Sequence, residues 1–503
     1  MEWWHHREEC DLHRSKGVRK DVLTKYFKGI RKPTRLVSGV TVVALMTHPY
    51  PCPHGRCIYC PGGISEGTPQ SYIDRSPVVM RARSVNYDPY LQVRERVKQY
   101  IMMGHTPSKV ELIIMGGTFP AMPLDYQEWV ITQALEALNR FPKDKPKRWI
   151  SLEGAIRRNE RAKIRCVGLT IETRPDWSKE KHVDIFLYLT ATRIELGVQS
   201  IYDDVLAKVK RGHSVKDVIE ATRILKDAGY KVAYHIMPGL PGSSIDRDYE
   251  MFVELFTNPD YRPDMLKIYP TLVMPGTELY NMWKGGKYKP YSLDELVELI
   301  AKVKSIVPPY VRIIRIQRDV PVDAVAAGLK IGNLREVVKE YMERRGIKCR
   351  CIRCREAGRY LLNRGELPLD GKLKLNKICY EASRGIEVFL SVENPYLDVL
   401  FGFLRLRIPS DTAHRREVDE RTAIVRELHV YSPQVPVGEK HEVWWQHKGL
   451  GKGLLKEAER IALEEYDRNK ILVISGIGVR SYYRKLGYRR YRNSFYMYKM
   501  LNL

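Results

Sequence analysis

The chain has 503 residues, with 85 Lys and Arg against 60 Asp and Glu, giving a formal net charge of +25. That length predicts two to four domains with cores of their own, and 44% hydrophobic with 29% charged residues excludes a disordered or low-complexity chain. No apolar run approaches the ~20 residues of a membrane span, and the positive surplus favours a polyanionic partner, nucleic acid before membrane. The opening MEWWHHREEC lacks a signal-peptide core, which predicts a cytoplasmic protein.

From about residue 40 to 316 short apolar runs alternate with longer amphipathic ones. Predicted strands are VTVVALM (40–46), KVELIIMGG (109–117), CVGLTIET (166–173), RIELGVQS (193–200), KVAYHIMPG (231–239), DMLKIYPTLV (264–273) and VRIIRI (311–316). Predicted helices cover 89–103, 125–139, 179–189, 214–228 and 293–306. This alternation predicts an α/β fold, a parallel sheet open or closed into a partial or full (β/α) barrel, with its site at the strands' C-terminal ends. Beyond residue 321 come a helix at 334–344, a basic cysteine-bearing stretch, and then EVFLSVE, VLFGFLRLRI, AIVRELHVYS, a glycine-rich loop, a helix at 451–466 and ILVISGI. That order predicts a second, α+β domain.

Six of the nine cysteines fall in two tight clusters, which points to metal sites rather than disulfides. Cys52, Cys57 and Cys60 form C-x4-C-x2-C directly after the first strand. Three thiolates can hold three irons of a 4Fe–4S cube and leave the fourth open; a structural zinc with His54 as fourth ligand is the competing reading. Gly116, Gly117 and Thr118 close the second strand, and Glu172, Arg174, Glu195 and Gln199 close the third and fourth, facing the same end.

Cys349, Cys351 and Cys354 are interrupted by Arg350 and Arg353, inside a stretch, 302–377, that carries 19 Lys and Arg against 8 Asp and Glu. Zinc is the leading reading, with Cys379, a histidine or water as fourth ligand, and a second iron–sulfur cluster is the rival. Such a site would clip the basic linker, because metal binding contributes folding free energy. Residues 480–499 hold seven Lys and Arg, six Tyr and no acid, which suits either RNA stacking or a strand pair with core tyrosines. Further on, Gln446, Gly449, Leu450, Gly451 and Lys452 open the 451–466 helix, whose N-terminal amides form a pyrophosphate cradle.

The cysteine loop on a parallel α/β pattern resembles the radical S-adenosylmethionine superfamily, although the usual spacing there is C-x3-C-x2-C. The resemblance implies a 4Fe–4S cluster on Cys52, Cys57 and Cys60, with S-adenosylmethionine held by Gly116, Gly117, Thr118, Glu172, Arg174, Glu195 and Gln199. The C-terminal strand–loop–helix–strand order resembles the GNAT acetyltransferases. It implies that acetyl-CoA lies along Glu427, Leu428, His429 and Val430, with its pyrophosphate on the Gln446–x–x–Gly449–Leu450–Gly451–Lys452 loop. Tyr482 or Tyr483, the latter preferred, then meets the thioester sulfur.

Together, CPHGRCIYCPGG, KVELIIMGGTFPAMPLDYQEW, GLTIETRPDW, ELGVQSIYDDVL, HIMPGLPG, KIYPTLVMPGTELY, CRCIRCRE, ELHVY and YYRKLGY resemble the catalytic-subunit family of Elongator in its stand-alone archaeal or bacterial form. The resemblance implies four segments: a basic arm (1–35), a radical domain (36–318), a zinc-binding linker (319–376) and an acetyltransferase domain (377–503). It further implies modification of carbon 5 of the wobble uridine in a tRNA anticodon stem-loop, with acetyl-CoA and adenosyl radical chemistry, an electron donor, and Lys109 reaching the CoA moiety. The protein would be a monomer or homodimer with no membrane partner. Two other readings are a protein lysine acetyltransferase with Glu427 as general base and a structural cluster, and an RNA-binding scaffold.

Overall fold

The computed structural model describes residues 29–502, except 31, 36, 147–148, 368–372, 436–448 and 492–493. Most of the expected basic arm, and Gln446, lie outside the described residues.

Seven strands form the first sheet: β1 (Thr41–Met46), β2 (Lys109–Met115), β3 (Arg165–Thr173), β4 (Arg193–Gln199), β5 (Lys231–Ile236), β6 (Met265–Ile268) and β7 (Arg312–Ile316). Their spatial order follows the chain and every pair is parallel. Among the described residues β1 and β7 do not pair, so the barrel is partial. Side-chain alternation sets which face is which. Val43 and Leu45 of β1 are fully buried with Tyr90, Val93 and Val97 of the covering helix Pro89–Met102, while Val42 and Ala44 line the concave side. That helix is started by Asp88, which accepts from the Leu91 amide, with proline at the first helical position. The predicted strands and helices are all present. Among the described residues eight further α-helices, Pro77–Arg83, Leu152–Asn159, Asp203–Lys208, Ile245–Thr257, Glu278–Lys284, Ile352–Arg355, Ala357–Arg364 and Arg480–Lys485, were not predicted.

The second sheet contains β8 (Lys374–Ala382), β9 (Gly385–Asn394), β10 (Val399–Ile408), β11 (Thr422–Val430), β12 (Lys470–Val473), β13 (Arg489–Arg490) and β14 (Met497–Met500), in the order 13-14-12-11-10-9-8. It is antiparallel except for β11 and β12, which are parallel and joined through the helix Leu450–Tyr466. These two pair only from Thr422 to Val425, so the far end of β11 has no β12 partner. The tyrosine-rich tail is a core element. Tyr483, Tyr488 and Tyr496 are buried, and 480–485 is a short helix rather than a strand.

A buried charge network welds the two sheets. Arg426 donates to both Asp264 oxygens (2.8 and 2.7 Å) and to Glu387 (2.7 Å); Arg407 donates to Asp227 (2.6 Å) and Glu387 (3.0 Å); Arg405 donates to Glu427 (2.9 Å) and the Tyr310 carbonyl (2.7 Å). Tyr310 stacks on Tyr380 with ring centroids 4.0 Å apart.

Candidate active site

The loop after β1 is fastened on three sides. Gln70 accepts from the Cys52 amide (2.8 Å), Ile58 donates to Val209, and Leu279 donates to Ile58. Thr118 donates to Cys52 Sγ (3.4 Å), His54 Nε2 and Arg211 Nη1 lie 3.2 and 3.8 Å from Cys57 Sγ, and Cys60 Sγ sits 3.4 Å from Ser71. Burial pushes the Cys60 thiol up to about 11 and raises Cys52, while Arg211 and Arg174 oppose the rise at Cys52.

Zinc and an iron–sulfur cube make different demands on this loop. Ligands of one tetrahedral zinc stand about 3.8 Å apart, given Zn–S of ~2.3 Å. The three Sγ atoms here are not gathered within 4.8 Å of one another, unlike those of Cys349, Cys351 and Cys354. A cube with one iron per thiolate fits the wider spread. His54 Nδ1 is buried with no partner among the described residues, the Tyr59 hydroxyl lies against Cys57, and Arg211 supplies positive charge for an anionic centre. Burial holds His54 down at about 3, hence neutral.

At the strand ends, Gly116 (φ 125°) could not carry a side chain, because a Cβ would lie 2.4 Å from Thr47 Oγ1. Gly116, Gly117 and Thr118 line the cavity, as do Glu172 and Gln199, whose buried Oε1 has no partner among the described residues. Glu172 accepts from Lys267 (2.7 Å) and Tyr72 (3.2 Å). Arg174 lines the cavity too, with its guanidinium bonded to Asp176 and to the Arg211 and Gly212 carbonyls. One expected ligand is placed differently. Glu195 is fully buried and does not line the cavity; its carboxylate is engaged by Lys267, Arg193 and His235. Lys267 and His235 were missed at the sequence level, although both stand at cavity-facing positions of apolar strands.

One cavity of about 1470 Å³ runs from Cys52 and Gly116–Thr118 through the barrel, past Glu111, His235 and Lys267, to Lys109, Arg165 and Lys231 at the other strand ends. It continues along Glu427–Val430 to Gly449, Gly451, Lys452, Tyr482 and Tyr483. Burial lowers Lys109 to about 8. Gly449 (φ 94°) caps the N-terminus of the helix Leu450–Tyr466, and a Cβ on Gly451 would lie 2.9 Å from the Tyr482 hydroxyl. Tyr483 lies edge-on between Tyr482 and Tyr488. Burial raises both Tyr482 and Tyr483. Glu427 is held below the usual carboxylate range, chiefly by Arg405 and Lys231 against its burial, and His429 Nε2 lies 2.9 Å from the Ser38 carbonyl.

Residues 46–256 match the radical SAM superfamily model, and 263–344 match the Radical_SAM C-terminal domain. The chain is 54% identical over 464 residues to the tRNA uridine(34) acetyltransferase of Methanocaldococcus infernus, covering 92% of this chain and 86% of that protein. It belongs to the Elongator complex protein 3 family of radical SAM enzymes. Human Elongator complex protein 3 is 45% identical over 478 residues, covering 93% of this chain and 86% of that one. The solved structure of archaeal Methanocaldococcus infernus Elp3 with an N-terminal deletion superposes with a TM-score of 0.81 at 51% identity, covering 92% of this chain and all of that one.

In this Elongator-type chain Cys349, Cys351 and Cys354 converge, their Sγ atoms within 4.8 Å of one another. No further Cys, His, Asp or Glu atom joins them among the described residues; Cys379 lies instead against Tyr466. Hydrogen bonds and charge shared among the three thiols lower Cys351 and raise Cys349. The turn bridges the sheets: the Ile352 amide donates to Val311 beside β7, and Arg355 pairs with Glu393 of β9 (2.8 Å).

Proposed function

We propose that this chain modifies carbon 5 of the wobble uridine of tRNA, using acetyl-CoA and S-adenosylmethionine. The observation that carries the reading is the single cavity joining the cysteine loop to the glycine loop of the second sheet. When bound on Cys52, Cys57 and Cys60, a 4Fe–4S cluster supplies the electron that splits S-adenosylmethionine into an adenosyl radical. Gly116, Gly117, Thr118, Gln199 and Glu172 position that molecule. The GNAT-type second sheet leaves β11 open beyond Val425 for an acyl-CoA arm, and the amides at Gly451 and Lys452 meet its pyrophosphate. Lys109 reaches the CoA, and the Tyr483 hydroxyl meets the thioester sulfur. Zinc on Cys349, Cys351 and Cys354 clips the linker.

Of the linker cations, Arg312, Arg355 and Arg359 are committed to Glu356 and Glu393. Lys339, Arg344, Arg345 and Lys348 face solvent and can meet tRNA phosphates. Glu427 is committed to the Arg405 guanidinium, which weighs against its use as the base of the lysine-acetylation reading. Anaerobic reconstitution with S-adenosylmethionine, acetyl-CoA, a reductant and tRNA, followed by nucleoside mass analysis, is expected to yield 5-carboxymethyluridine. The C52A/C57A/C60A variant should bind acetyl-CoA and make none; full activity in that variant would sink the reading.

A further inference from the structure

Three arginines thread the cysteine turn, and two of them are spent on acids: Arg350 lies 3.3 Å from Asp398 and Arg355 lies 2.8 Å from Glu393. Arg353 is half-buried, lines the cavity, and makes no hydrogen bond or ion pair among the described residues. The charges that act on it most strongly are not the cysteines beside it in sequence but Arg359, Arg335 and Arg312, and then Glu356. Glu356 is fully buried and already shared, with Arg312 2.8 Å from one oxygen and Arg359 paired to the other. Arg335, on the helix Leu334–Arg344, donates to the Ile313 carbonyl (3.3 Å). Four guanidiniums thus gather round one carboxylate, and Arg312, Arg353 and Arg359 line the cavity. Arg312 also donates to the Tyr431 hydroxyl (2.8 Å), which sets this pocket against the second sheet. Like charges drawn partly out of water repel more strongly than in it, and a bound anion relieves them.

The pocket stands at the open side of the barrel. β1 and β7 are the edge strands of the first sheet and do not pair among the described residues. The cavity reaches both edges: Val42 and Ala44 of β1 line it, and so do Arg312, Ile314 and Arg315 of β7. On the β1 side Arg96 lines it too, bonded to Gln99 (2.8 Å) rather than to an acid. We propose that Arg353, backed by Arg335 and Arg359, binds a backbone phosphate of the RNA substrate at the seam between β1 and β7. The proposal rests on the tRNA reading above. A guanidinium presents two parallel N–H donors that match two oxygens of one phosphate, which a lysine does not. Such a contact carries no base identity, so it positions the strand rather than selecting it. A phosphate of acyl-CoA is the competing source. Under the same reading its pyrophosphate already has the amides of Gly451 and Lys452, whereas the turn bearing Arg353 is pinned beside β7 through the Ile352 amide.

The test measures equilibrium binding of tRNA, across a salt series, and of acetyl-CoA to reconstituted wild-type, R353Q and R353K enzymes. R353Q should bind tRNA roughly ten-fold or more weakly, with the slope of log affinity against log salt shallower by about 0.7–0.9. Its acetyl-CoA affinity should stay within about two-fold of wild type, and its melting temperature should hold or rise as the crowding of guanidiniums is relieved. R353K, which keeps the charge but not the fork, should keep the wild-type slope and fall between the two in affinity. Unchanged tRNA affinity and slope in R353Q overturns the proposal. Weakened acetyl-CoA binding with normal tRNA binding also overturns it, and assigns the pocket to a CoA phosphate. If R353Q does not fold, wild type is titrated with anticodon stem-loops carrying a neutral methylphosphonate at single linkages. One linkage near the target uridine should then lose roughly ten-fold, and equal small losses at every linkage refute the pocket. Wild type that binds no tRNA defeats the functional reading itself; tRNA binding that R353Q leaves intact defeats only the Arg353 assignment.

Discussion

Two adjacent tyrosines end the cavity, and no described residue hydrogen-bonds either hydroxyl. An unpaired buried hydroxyl lowers stability by roughly 1–3 kcal/mol, so deleting it is neutral or stabilising. A catalytic or binding role therefore separates cleanly from a structural one. Y483F should hold or raise the melting temperature while tRNA-dependent CoA release falls by roughly 10²-fold, because the proposed function makes this hydroxyl the proton donor to the leaving sulfur. Y482F, with its hydroxyl over Gly451 rather than along β11, should chiefly raise the KM for acetyl-CoA. Thermal unfolding and thiol release measured on both variants check this. Equal, small activity losses with lowered melting would show that the pair is only core.

Among the elements, the Cys349–Cys354 turn bears most on how the halves hold together, since Ile352 pins it beside β7 and Arg355 pins it to β9. Removing the zinc proposed for this turn, by chelation or by C351S, should cost about 2 kcal/mol and lower the unfolding midpoint by about 4–8 °C. One zinc per chain, by metal analysis, should be lost in parallel; a midpoint that ignores zinc content would sink the clip. This turn was legible in the sequence because cysteine spacing is local chemistry, as were the seven parallel strands, short apolar runs alternating with amphipathic helices. β8 was not: LNKICYEA alternates too weakly, and its pairing with β9 is supplied by the tertiary fold. Glu195 was placed at the correct strand end, but sequence position could not tell a cavity-lining carboxylate from the hub of a buried ion network. The arginines of LRLRI announce charge but not the acids, 140 to 180 residues away in sequence, that receive them.

At the scale of the whole molecule, function depends on two sheets staying in register, because each contributes one end of a single cavity. What holds the register is not apolar area alone but Asp264, Asp227 and Glu387 set against Arg405, Arg407 and Arg426, all out of water. Breaking one member of such a network leaves charges buried without compensation, which costs roughly 3–5 kcal/mol. D264N should therefore be destabilised by about that much at neutral pH, with Arg426 and Arg405 under-neutralised. The acid limb identifies the cause. Asp264 is held far below the ordinary carboxylate range, chiefly by Arg426, Lys226 and Arg405 against its burial. Its contribution is then complete above the unfolded-state pKa of ~3.9 and is lost as pH falls below it. Denaturant unfolding from pH 7 to pH 3 should show the wild-type advantage over D264N shrinking only at the acid end. A constant difference across that range would mean that packing, and not the buried charges, keeps the two halves of the cavity aligned.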